Sequence, residues 1–113
     1  MYRNPEPYVP KTKGEIWDFL GSMMLSAPMF IDKSGYFPER NIETEFFALN
    51  EGLKAIRKQI GEENYQRLAD LSARMRTHFE ADPEDKTDDS VKGRECILEM
   101  EDILRAAGRA KRR

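Results

Sequence analysis

Side chains able to do acid–base, nucleophilic or metal chemistry are few in this sequence, which has one histidine, His78, and one cysteine, Cys96. A histidine acting as general base needs an orienting partner, and a metal site needs two or more imidazole or thiolate ligands. Glu80 or Asp82 could pair with His78, but the plainer expectation is a surface histidine stabilised at the negative end of a helix. Cys96 adjoins Ile97, with Lys92 and Arg94 as its nearby bases, and reads as a small buried hydrophobe. A calcium loop needs oxygen ligands at positions 1, 3 and 5, Gly at 6 and Glu at 12. Counted from Asp82, positions 5 and 6 are Lys86 and Thr87; from Asp85, positions 6 and 12 are Ser90 and Cys96. Counted from Asp32, position 12 is Glu43, but positions 5 and 6 are Tyr36 and Phe37. No start satisfies the template. The glycines are scattered singly, so no phosphate-binding loop or dinucleotide fingerprint is present. The carboxylate pairs Glu99–Asp102 and Glu62–Glu63 fall on faces expected to be exposed, without the apolar surroundings that raise a pKa for general-acid work. With no nucleophile–base pair to name, the expectation is a protein that is not an enzyme and needs neither metal nor organic cofactor.

Charge is the remaining chemical signal, and the overall value of −2 conceals its pattern. Residues 1–79 hold eleven acids and eleven bases. Residues 80–89 hold six acids and one base, whereas residues 105–113 hold five bases and no acid. Without accompanying aromatic residues, the basic tail predicts a frayed, solvated end to a helix, and nucleic acid is not an expected partner. The acidic run is the stronger feature. Glu80, Asp82, Glu84, Asp85, Asp88 and Asp89 flank two helix ends, and a fixed negative array of this kind can steer onto a basic site of another protein. A solvated interhelical loop is the simpler reading of the same residues.

The elements that must hold these residues are helical. Pro5, Pro7 and Pro10 predict an extended arm over residues 1–11. Thr12 and Glu15 read as a capping box, followed by Ile16, Phe19, Leu20, Met23, Met24 and Ala27 on one face. Asn41 caps a second segment with Ile42, Phe46, Leu49, Leu53, Ile56 and Ile60 inward, ended by Gly61. Tyr65, Leu68, Leu71, Ser72, Met75 and Phe79 mark a third. Asp89 or Ser90 caps a fourth, with Val91, Ile97, Met100, Ile103 and Leu104 inward and Gly108 as its end. The expected helices are 13–27, 41–60, 62–80 and 90–107, and no segment alternates as a strand does. The fold class is all-α, an antiparallel four-helix bundle with an extended N-terminal arm and a long apolar first loop. That loop, residues 28–40, contains Met29, Phe30, Ile31, Tyr36 and Phe37, and either plugs the core or presents a binding surface.

At 113 residues the chain is one helical domain with enough length for its own core. A 35% charged composition, a longest uncharged run (19–31) too short for a bilayer, no secretory leader and a lone cysteine favour a cytoplasmic protein without a membrane partner.

The stretch from Phe79 to Leu104, and most closely the Asp88-Asp89-Ser90-x-x-Gly93 start of its last helix, resembles the small acidic helical immunity proteins of bacteriocins and contact-dependent bacterial toxins. That resemblance implies a protein that binds and neutralises a cognate nuclease toxin inside the producing cell. The paired tyrosines that precede this cap in the colicin-nuclease group do not occur here, so the motif transfers no binding residue. The expected function is a non-catalytic protein-binding module. It neutralises a basic partner through the acidic run, aided by Tyr36 or Phe37. The alternative is a helical adaptor or self-associating structural protein.

Overall fold

A computed structural model describes residues 9–30 and 41–111, with side chains to residue 107. Among them the regular structure is entirely helical: α1 (Lys13–Ser26), α2 (Ile42–Ala55), α3 (Arg57–Ile60), α4 (Glu62–Ala81) and α5 (Asp88–Lys111). The Thr12 hydroxyl caps α1 by accepting from the Glu15 amide at 3.1 Å, while the Glu15 carboxylate accepts from the Lys11 amide at 2.8 Å. The return bond therefore falls one residue upstream of the expected box. α2 has the full reciprocal box, with Asn41 Oδ1 accepting from the Thr44 amide and Thr44 Oγ1 from the Asn41 amide.

The expected helix over 41–60 is in fact two. Ile56, at φ −103° and ψ 7°, interrupts it and leaves one turn, α3, before Gly61. Arg57 follows the break and makes two bonds to the Glu62 carboxylate, at 2.7 and 2.6 Å, with its guanidinium 4.3 Å from the Tyr65 ring centre. The turn at Gly61 has φ 93°, a conformation that favours glycine. α5 is longer than expected at both ends, starting at Asp88 and running past Gly108 to Lys111. Its N-cap is Thr87, whose hydroxyl accepts from the Asp89 amide at 3.1 Å, rather than Asp89 or Ser90.

One apolar cluster joins these elements. Phe46, Leu53, Ile56, Leu68, Met75, Ile97, Met100 and Leu104 are all buried, as their spacing predicts. Val91 departs from the expectation at 51% exposed. The turn it was to share packs instead through Ser90 and Gly93, both buried. A Cβ on Gly93 would lie 2.5–2.9 Å from three atoms of the Phe79 ring, so the missing side chain is what lets α4 and α5 close. α4 and α5 run antiparallel, with His78 beside Asp89 and Phe79 against Gly93. α2 and α4 are likewise antiparallel, with Asn50 on Ser72 and Phe46 near Arg76. α1 returns along α5, where Arg105 lies over Trp17 and Arg94 reaches the Ala27 carbonyl.

The arm and the first loop enter this core where they are described. Pro10 is buried, and its carbonyl oxygen lies 2.7 Å from where a Cβ of Gly52 would be. Phe30, 1% exposed, stands edge-on to Phe46 and Phe79 at centroid distances of 5.8 and 5.4 Å. Its φ of 60° is unusual for a residue with a side chain, and the aromatic packing holds it there. The beginning of the apolar loop is therefore a plug. Tyr36 and Phe37 lie outside the described residues.

Candidate functional site

The acidic run occupies the corner where α4 turns into α5, and its six carboxylates have different roles. Asp82 is buried, at 3% exposed. Its carboxylate accepts from the backbone amides of Lys86 at 2.7 Å, Thr87 at 2.8 Å and Ser90 at 3.3 Å. The Ser90 hydroxyl returns a bond to the Asp82 carbonyl at 3.2 Å. Burial opposes ionisation of Asp82, but the amides of Lys86 and Thr87, aided by the Ser90 and Thr87 side chains, outweigh it. The carboxyl is held well below its ordinary range. Asp82 is thus a clamp inside the loop. It does not belong to the presented surface on which the sequence reading placed it.

The other five acids stand around that clamp. Glu80 bonds Arg76 at 2.9 Å, Glu84 pairs with Lys86 at 3.0 Å, and Asp85 meets Arg94 at 3.2 and 3.3 Å. Asp89 Oδ1 lies 2.9 Å from His78 Nδ1, both half-buried. The Asp88 carboxylate has no ion pair among the described residues, and with Asp89 it sits in the first turn of α5, where the helix dipole favours negative charge. Structural partners therefore exist for most of the run. Glu84 keeps 70% of its side chain open, Glu80 50% and Asp85 47%, and Asp88 is exposed as well. What the corner presents is a ridge of Glu80, Glu84, Asp85 and Asp88, rigidly based on Asp82.

Sequence reasoning missed Arg94, which ties this corner to the end of α1 by bonding both Asp85 and the Ala27 carbonyl. It also missed Thr87. The sequence signal for Thr87 is a hydroxyl residue directly before two acids, the order expected at an N-cap.

Elsewhere the chemistry is sparse. Burial pushes the Cys96 thiol pKa up, with Arg74 opposing and Glu99, Glu95 and Asp70 adding to it, so the reactive thiolate is disfavoured. An open groove of about 460 Å³ between α2 and α4 is lined by Phe46, Leu53, Tyr65 and Arg76. Its Ser72 hydroxyl already donates to Asn50 Oδ1 at 2.8 Å. Among the described residues, no three His, Cys, Asp or Glu side chains group as metal ligands, and no helix is long and apolar enough to cross a membrane. Compared with family models, curated proteins and solved structures, the chain matches none.

Proposed function

We propose that this chain is a non-catalytic helical-bundle module that binds a basic protein through the acidic ridge at the α4–α5 corner. In its most concrete form it is an immunity protein occluding a nuclease-type toxin. The observation that carries this reading is the Asp82 clamp. Three backbone amides converging on one buried carboxylate brace the loop, so less of its backbone has to be ordered when Glu84, Asp85 and Asp88 meet a partner. A rigid negative ridge complements the positive cleft with which a nuclease holds phosphate, and it accelerates encounter at low salt. Arg76, Lys86 and Arg94 partly neutralise the ridge, so its contribution falls more on association rate than on affinity.

The test is capture from lysate of the source cell on immobilised wild-type chain and on the near-isosteric triple variant Glu84→Gln/Asp85→Asn/Asp88→Asn. A basic protein retained by the wild type and lost from the variant is the expected result. With the captured partner in hand, association should slow about tenfold or more in the variant, with the difference shrinking at high salt. Identical retention by both columns would mean that the ridge is only a solvated loop.

A further inference from the structure

The acidic ridge does not end at Asp88. Along the outer face of α5, Asp88, Val91, Glu95, Leu98 and Asp102 follow one another at alternating steps of three and four, the spacing that keeps residues on one stripe of a helix. All five are exposed, and Val91 and Leu98 keep 51% and 52% of their surface in solvent. Neither Asp88 nor Glu95 has an ion pair among the described residues, whereas Asp102 bonds Arg105 at 3.1 Å. Helix α1 forms the other edge of this stripe. It runs antiparallel to α5 from Trp17, beneath Arg105, to Ala27, whose carbonyl accepts from Arg94, so half-buried Met24 stands level with Leu98. A Cβ on Gly21, one turn earlier on α1, would meet nothing within 4 Å. The result is a shallow crease with an apolar floor and a row of carboxylates along its α5 side.

We propose that this crease extends the ridge into a docking site for a basic amphipathic helix of the protein partner. Its apolar side chains seat on Val91, Leu98 and Met24, and its Lys or Arg side chains reach Asp88, Glu95 and Asp102. The inference rests on the ridge reading above, because Asp88 is common to both surfaces. It adds what the ridge alone lacks, an apolar centre beside a charged rim, which is the anatomy of a specific interface. Charge chooses the occupant. Three acids on one stripe repel a second copy of the same face, and they repel the phosphates of nucleic acid as well. A basic helix meets them with the opposite sign. The nearby bases do not cancel this. Lys92 lies about 100° around α5 from Val91, on the far side of the carboxylates, and Arg94 is engaged by Asp85 and the Ala27 carbonyl. From Asp88 to Asp102 the stripe is about 21 Å long, so about four turns of a partner helix cover it.

The probes are two synthetic helical peptides of equal positive charge, each of about fifteen residues to match the stripe. One carries Leu at alternating three- and four-residue steps among Lys, and the other has Ala at the Leu positions. Nitrogen-15 NMR titration of the full chain reads affinity and location together. The Leu/Lys peptide should bind about tenfold or more tighter than the Ala/Lys peptide, shifting amides over residues 88–102 and around Met24. Val91→Gln/Leu98→Gln, which changes only half-exposed side chains, should remove that preference and leave Ala/Lys binding unchanged. Glu95→Gln should weaken binding of both peptides, with the difference shrinking at high salt. Equal affinity for the two peptides overturns the inference, as does a preference that survives Val91→Gln/Leu98→Gln or a failure of both peptides to bind. Self-association of the free chain that Leu98→Gln abolishes would assign the face to a second copy, and it too overturns the inference. The ridge reading is judged separately by Glu80→Gln/Glu84→Gln, two ridge positions outside the crease. Weaker Ala/Lys binding in that variant, without a Leu preference in the wild type, keeps the ridge and removes the crease. A Leu preference with Ala/Lys binding unmoved by that variant supports the crease and counts against the ridge.

Discussion

Asp82 shows how one side chain can set the character of a whole charged segment. A buried carboxylate is costly unless its lone pairs are filled, and here three backbone amides fill them. Its pKa is depressed, so its stabilising contribution is fully present above the ordinary 3.8 of the unfolded carboxyl and fades as the pH falls below it. Glu62, held at about 2 by the hydrogen bonds from Arg57 and Gln66, has the same sign. The melting temperature should therefore fall as the pH drops from about 5 to 2. Asp82→Asn should lower it at pH 7, because an amide donor then faces backbone donors, and should flatten the acid limb of the profile. Melting curves across that range check both outcomes. An Asp82→Asn protein with wild-type stability at pH 7 would contradict the clamp.

At the scale of elements, the pairing of α4 with α5 turns on a residue whose propensity argues against its position. Glycine inside a helix costs roughly 0.5–1 kcal/mol relative to alanine, so Gly93→Ala would stabilise an isolated helix. In the folded protein the added methyl meets the Phe79 ring at 2.5–2.9 Å, and that ring is fully buried and wedged against Phe30. Overpacking wins, and Gly93→Ala should destabilise the protein by about 1–3 kcal/mol, measured by denaturant unfolding. Double replacement with Phe79→Leu, which removes the ring, should recover part of the loss. The same crossing explains Val91. When the closest approach is made by Ser90 and Gly93, the large apolar neighbour is turned outward.

For the whole molecule, three phenylalanines from distant parts of the chain meet at one place. Phe30 belongs to the first loop, Phe46 to α2 and Phe79 to α4, and the two edge-to-face contacts through Phe30 tie them together. Phe30→Ala should cost about 3–5 kcal/mol, the range for removing a buried aromatic side chain, and chemical denaturation measures it. A loss below about 1 kcal/mol would mean that the loop's entry into the core contributes little. Together with Pro10 against Gly52, this packing makes short non-helical segments part of the core.

The sequence by itself determined the all-helical class, the capping of α2 by Asn41, the turn at Gly61 and, Val91 excepted, the inward faces from Ile16 to Leu104. Those features are local: amphipathic spacing repeats every three or four residues, and a cap joins groups three residues apart. It also located the acids, whose concentration between Glu80 and Asp89 is visible without coordinates. Only the tertiary structure decided what those acids do. Whether a carboxylate points to solvent or to converging amides depends on how the chain reverses between two packed helices, and Asp82 reads in sequence like its neighbours. The break at Ile56, the burial of Phe30 and the outward turn of Val91 were illegible for a related reason. Each is decided by which distant backbone comes closest, and hydrophobic periodicity carries no information about that approach.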